Sequence, residues 1–162
     1  MNGRRLAHAA LLTVLLTLSA AAGQLTMAGA DGGGIQWLSY AEGRQRGEAE
    51  KKKLFLFFDS ERCRYCLQME RETFSNSAVI AFVNRNFIPI RVNSDKEQKT
   101  ALKYQVRGLP SIWFISETGE RIANRPGYIA ADEMLNILRY IESDSHLSMS
   151  FKSFLEKDAA VN

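Results

Sequence analysis

The chain has 162 residues, with 21 Lys and Arg, 18 Asp and Glu, two histidines and two cysteines. Residues 1–30 hold Arg4 and Arg5 and no acid, so without them the chain is nearly neutral, which gives no support for nucleic-acid or anionic-membrane binding. The 132 residues that follow suffice for a single domain with a real hydrophobic core, expected as a monomer.

Taken in chain order, residues 1–30 read as a secretory signal peptide: a basic start, an uncharged apolar stretch from Ala9 to Ala22, then small residues. That stretch is short and alanine-rich for a membrane span, which needs about 20 strongly apolar residues. Cut sites of the small-x-small kind end at Ala22 and at Ala30, and the sequence does not choose between them. Export, and with it a periplasmic location, is the expectation. Residues 31–34 form a flexible spacer, residues 35–143 the folded domain, and residues 144–162 a tail that ends in a short amphipathic helix.

Within the domain, Ile35 and Trp37 predict a short edge strand, and Ser39 to Lys52 a charged outer helix with a thin apolar face. Leu54 to Phe58 is apolar throughout, as a strand buried on both faces requires. A helix should open at the cysteines and run to about Thr73, followed by a second behind Asn76 as N-cap. Phe87 to Asn93 predicts a strand, and Pro89, lacking a ladder donor, places part of it at an edge. Ser94-Asp95-Lys96-Glu97 matches a capping box, predicting a helix to about Gln105. Ile112 to Ile115 and Arg121 to Arg125 form a hairpin about Gly119, and Asp132 to Ser143 a final helix with Met134, Ile137, Leu138 and Ile141 on one face. Parallel units in front and a hairpin behind predict an α/β fold, a central mixed sheet with helices on both faces.

Both cysteines stand together as Cys63-Arg64-Tyr65-Cys66, directly after the apolar strand. At a helix N-terminus the unpaired N–H groups and the dipole favour the thiolate of the first sulfur. Cys63 is therefore the expected nucleophile and Cys66 the resolving thiol, attacking Cys63 in a mixed disulfide. A bridge between them closes too small a loop to constrain the unfolded chain much, so an inert staple is the weaker reading. Two thiolates and His146 cannot complete a four-ligand zinc site, and no metal or other cofactor is expected. Arg62 and Arg64 flank the nucleophile and would favour its thiolate; the plain alternative is that both are solvated surface charges. Tyr65 offers an aromatic docking surface or packs on its own helix.

The pair, with Tyr104-Gln105-Val106-Arg107-Gly108-Leu109-Pro110-Ser111 beginning some way beyond it, resembles the thioredoxin superfamily over about residues 35–143. The resemblance implies a thioredoxin fold, a cis Leu109–Pro110 bond, a Leu109 backbone that pairs with a substrate strand, and thiol-disulfide exchange with cysteine-containing protein substrates. The run Met69 to Asn76, with Val79-Ile80 and Asn84 to Phe87, is similar to exported thioredoxin-like proteins related to the C-terminal domain of the transmembrane thiol-disulfide interchange protein. The tail about Ser150 to Leu155 is similar to endings of periplasmic thioredoxins linked to sulfur oxidation. By this resemblance the chain is a disulfide reductase fed by a membrane thiol donor, with an oxidase, an isomerase or a peptide-binding chaperone module as alternatives. One departure stands out: thioredoxins usually carry a buried Asp six residues before the first cysteine, where this chain has Phe57. Asp59, Glu61 and solvent remain as bases for the second thiol.

Overall fold

The strand β1, Leu54–Asp59, is buried at every position and forms the centre of the molecule. A computed structural model describes residues 33–161. The leader expected at residues 1–30 and its two expected cut sites lie outside them. Around β1, α1 (Tyr40–Glu50), α2 (Arg64–Glu72), α3 (Ser77–Asn86), β2 (Ile88–Asn93), α4 (Gln98–Lys103), β3 (Ser111–Ile115), β4 (Arg121–Pro126), α5 (Ala131–Glu142) and α6 (Phe151–Val161) follow in chain order. The four strands form one sheet in the order β2-β1-β3-β4. β1 runs parallel to β2, Leu54 facing Ile88, and antiparallel to β3, Phe58 facing Ser111. β3 and β4 complete the predicted hairpin.

Alternation along β1 divides the core. Phe55 and Phe57 point into a cluster with Met69, Phe74, Val79, Phe87, Phe114 and the apolar face of α5. Leu54, Leu56 and Phe58 point to the other side, with Ile88, Ile90, Val92 and Tyr104. Both faces are therefore dry, which explains why β1 shows no polar alternation.

Two local expectations change. The edge strand at 35–37 reduces to one bridge, Leu38 to Ile90, with the Leu38 N–H donating to Pro89 O at 2.9 Å. Trp37 instead turns into the core, its ring 5.3 Å from Phe74 and 5.7 Å from Phe57, because burying an indole outweighs one more pair of ladder bonds. The helix predicted from Ser94 is shorter, starting at Gln98, and Glu97 gives it no side-chain cap. Asn93 intercepts the box: its Oδ1 accepts the N–H groups of Asp95 at 3.0 Å and Lys96 at 3.2 Å, and the Ser94 N–H goes to Asp59 O. The working capping box lies earlier, between Ser39 and Glu42.

The thin apolar face of α1 also finds its reason. Gly43 and Gly47 face the sheet, and a Cβ on either would lie 2.2 Å from Ile90 or Leu54, so the helix packs through backbone rather than side chains. At the other end, α6 lies against α5 through Phe151 and Phe154, each ring 5.3 Å from Tyr140, whose hydroxyl donates to Met149 O. Among the described residues no helix is long and apolar enough to cross a membrane.

Candidate active site

β1 delivers the chain to a turn over Ser60–Arg62 that stops at Cys63, whose extended backbone (φ −81°, ψ 100°) makes it the N-cap of α2. Its sulfur accepts the Cys66 N–H at 3.1 Å, the role a Ser or Asp oxygen plays at other helix starts. Cys63 and Cys66 are joined by a disulfide, their Cα atoms 5.2 Å apart. Cys63 is half-buried, whereas Cys66, one turn inward, is 2% exposed. The first sulfur is thus the more accessible one and the second lies behind it.

The pairing of β3 with β1 brings the second element. Since Ser111 faces Phe58, the residues just before Ser111 lie alongside the turn that carries Cys63. The Leu109–Pro110 peptide bond there is cis. Pro110 is buried, its carbonyl taken by the Gly127 N–H at 2.8 Å, while neither the N–H nor the C=O of Leu109 makes a backbone hydrogen bond among the described residues. A free donor and acceptor side by side next to Cys63 are what an added strand needs.

On the Cys63 side, a groove of about 690 Å³ runs between Cys63–Tyr65 and the segment from Gln98 to Leu109. Ala101, Leu102, Val106 and Leu109 line it, with Arg64 and Arg107 also on its wall. Tyr65 is 59% exposed and Leu102 76%, so apolar surface faces solvent beside Cys63. Arg62 is exposed just outside this lining. Arg62, Arg64 and Arg107 form no ion pair among the described residues.

On the Cys66 side lies a cavity of about 430 Å³, walled by Asp59, Cys66, Glu70, Arg91 and Asn93, among others. The Arg91 Nε donates to Asp59 Oδ2 at 2.8 Å, its Nη2 donates to the same oxygen, and Nη2 also forms an ion pair with the Glu70 carboxylate, whose Oε1 accepts no hydrogen bond among the described residues. Burial pushes the Asp59 carboxyl above its ordinary value, against the pull of Arg91. Glu61, the other acid considered from sequence, is exposed and paired with Lys96 at 2.7 Å, which holds it below the usual carboxylate range. Phe57 fills the position of the family's buried acid with a ring 4.9 Å from Phe74, and the Arg91 guanidinium lies 5.8 Å from its centroid.

Arg91 and Glu70 were not legible as site residues in the sequence alone. A signal was present: Arg91 interrupts the apolar alternation of β2 on the Phe57 side, and Glu70 follows Cys66 by four residues, hence on the same helix face.

A half-exposed cysteine capping a helix, a buried partner one turn on and a Gly-x-Pro loop beside them define the thioredoxin class of thiol-disulfide oxidoreductase sites. The chain belongs to the thioredoxin-like domain family, whose model matches residues 42–142. It is 27% identical to the disulfide bond reductase DsbH of Chlamydia pneumoniae over 101 residues, covering 55% of this chain and 61% of that protein. It is 32% identical to an uncharacterised protein of Archaeoglobus fulgidus over 62 residues, or 38% of this chain and 49% of the other. The match thus spans from about half to three fifths of these curated relatives. Among solved structures, a thioredoxin from Thermus thermophilus is similar with a TM-score of 0.61 and 28% identity, over 66% of this chain and 86% of that one.

Proposed function

We propose that the protein is an exported disulfide reductase of the periplasm, monomeric, released from its leader near Ala22 or Ala30, and acting on cysteine-containing proteins. The observation that carries this reading is the asymmetry of the pair: Cys63 half-exposed at a groove, Cys66 buried behind it. In the reduced enzyme the Cys63 thiolate attacks a substrate disulfide, forming the Cys63–substrate bond and releasing one substrate thiolate. Cys66, deprotonated, then attacks the Cys63 sulfur. The second substrate thiolate leaves, two electrons have passed to the substrate, and the Cys63–Cys66 disulfide remains. A membrane thiol donor restores the dithiol. No cofactor enters, since the electrons move from sulfur to sulfur.

Leu109 offers its free backbone groups to the substrate strand, Pro110 holds the loop against the sheet, and Tyr65 covers one wall of the groove. Arg62 and Arg64 favour the Cys63 thiolate. The groove suits an extended segment with an apolar side chain close to its cysteine and acidic residues beside it. The name of the Chlamydia pneumoniae relative supports reduction as the direction. A second reading, oxidation or isomerisation, draws on the unpaired arginines: a stabilised thiolate makes the reduced form more stable and the disulfide more oxidising.

The reduction potential of the Cys63–Cys66 pair decides between them, read by equilibration in dithiothreitol or glutathione buffers and thiol alkylation. A value near thioredoxin's, roughly −270 mV, is expected; one near that of strong periplasmic oxidants, about −120 mV, overturns the reductase reading. A chaperone role is tested by replacing both cysteines with serine, which should abolish turnover while leaving the fold intact.

A further inference from the structure

Cys66 attacks only as a thiolate, yet it is 2% exposed and lies too deep for bulk water to take its proton freely. The position where the family usually keeps an acid is filled by Phe57, itself fully buried. On the same face of the sheet, two residues on, stands Asp59, 3% exposed. Its two oxygens differ. Oδ2 takes both contacts from Arg91, while Oδ1, equally buried, accepts no hydrogen bond among the described residues. A buried carboxylate oxygen with no donor is costly unless it has work to do. Asp59 and Cys66 share the wall of the 430 Å³ cavity, which is polar and roomy enough for water.

We propose that Asp59 is the proton acceptor for Cys66, taking the thiol proton across the cavity that the two side chains share. The inference rests on the dithiol reading above. In the step, the Cys66 S–H proton passes to Asp59 as the Cys66 sulfur bonds to Cys63 and the substrate thiolate departs; the protonated Asp59 then returns its proton to solvent. The charged groups about Asp59 set when it can accept. Arg91 faces it from β2 and favours the carboxylate. Glu70 faces it from α2 and opposes the carboxylate, and Glu61 stands on the turn at the cavity wall, tied to Lys96. Glu70 lines the same cavity and its Oε1 likewise accepts no hydrogen bond among the described residues, but its side chain is 32% exposed against 4% for Asp59, so Asp59 is the desolvated carboxylate that faces Cys66.

The two sulfur steps separate cleanly with the disulfide of thionitrobenzoate. Cys63 attack releases the first coloured thiol, and Cys66 attack on the mixed disulfide releases the second, both readable by stopped flow across pH with the whole protein. Asp59→Asn should slow the second release on the order of 100-fold at neutral pH. The first release should stay within about twofold of wild type. The two proteins should converge at high pH, where the thiol ionises unaided. In wild type the second release should fall as pH drops through the raised Asp59 value, hence at a higher pH than an ordinary carboxylate would give. Arg91→Gln should move that midpoint up, and Glu70→Gln should move it down. These opposite shifts decide the matter even where Asp59→Asn does not fold, since a role in packing alone gives no reason for them. An unchanged second release in Asp59→Asn, equal slowing of both releases, or midpoints that stay fixed or move the same way would overturn the proposal. If the folded, reduced wild-type protein gives no first release, the dithiol reading itself fails and takes this inference with it.

Discussion

The two sulfurs of one short motif face different surroundings. Cys63 opens onto a groove with exposed apolar walls and arginines without ion pairs, while Cys66 adjoins a cavity where Arg91 ties together two carboxylates. Apolar surface is left open on the first side, whereas on the second a single cation is shared by two carboxylates, each with a buried oxygen that accepts no hydrogen bond among the described residues. The difference follows from helix geometry. The N-cap lies at the surface where backbone N–H groups are unpaired, and three residues later the helix has turned its side chain onto the sheet. A pair with this spacing therefore sets one sulfur at an open groove and the other at a charged cavity without any further device.

The largest effects should come from breaking that asymmetry at the sulfurs. Cys63→Ser should abolish both attack on a disulfide and mixed-disulfide formation. Cys66→Ser should keep the first attack and accumulate the mixed disulfide, visible as an added substrate mass. If the two variants behave alike, the division between the sulfurs is wrong. Next in size is an attempt to move the acid inward. Phe57→Asp replaces a fully buried ring that packs on Trp37 and Phe74, at a cost of about 3–5 kcal/mol for the lost packing alone. Burying the carboxylate adds to this. Urea unfolding should show the loss directly; a variant as stable as wild type would mean that the aromatic cluster is not what keeps an acid out of position 57.

Much of this was legible in the sequence because it depends on local patterns. Leu54 to Phe58 announces a doubly buried strand, and the cysteines at its end announce the site. The capping box at Ser94 misled because the competing acceptor, Asn93, belongs to the strand before it, and a local motif does not reveal which oxygen reaches an N–H first. The edge strand at Trp37 was lost to tertiary burial, which no window of neighbouring residues contains. The Arg91 network was hidden for the same reason. Asp59 and Glu70 are distant in sequence from Arg91 and meet only through the parallel register of β1 with β2 and the packing of α2 above them. Leu102 falls within the helix predicted to about Gln105 and Val106 within the Tyr104 to Ser111 segment, and no local pattern places either in a groove with Cys63.

On the groove side the effects should be smaller and should concern recognition alone. Arg64→Glu with Arg107→Glu reverses two exposed charges, each worth about 0.2–1 kcal/mol toward an acidic partner. Turnover of a disulfide peptide with acidic flanks should fall several-fold, with less loss for a basic peptide, and added salt should shrink the difference. Equal losses for both peptides would assign the arginines to the Cys63 thiolate rather than to the substrate. Smallest is Leu102→Ser. The side chain is 76% exposed, so its removal should leave unfolding within about 0.5 kcal/mol of wild type. If Leu102 receives the substrate's apolar residue, KM should rise about two- to threefold while kcat holds, because the contact is made equally in the bound and the reacting state. A change in kcat with KM constant would instead place Leu102 in control of the reactive geometry, and the groove would then belong to the chemistry rather than to recognition.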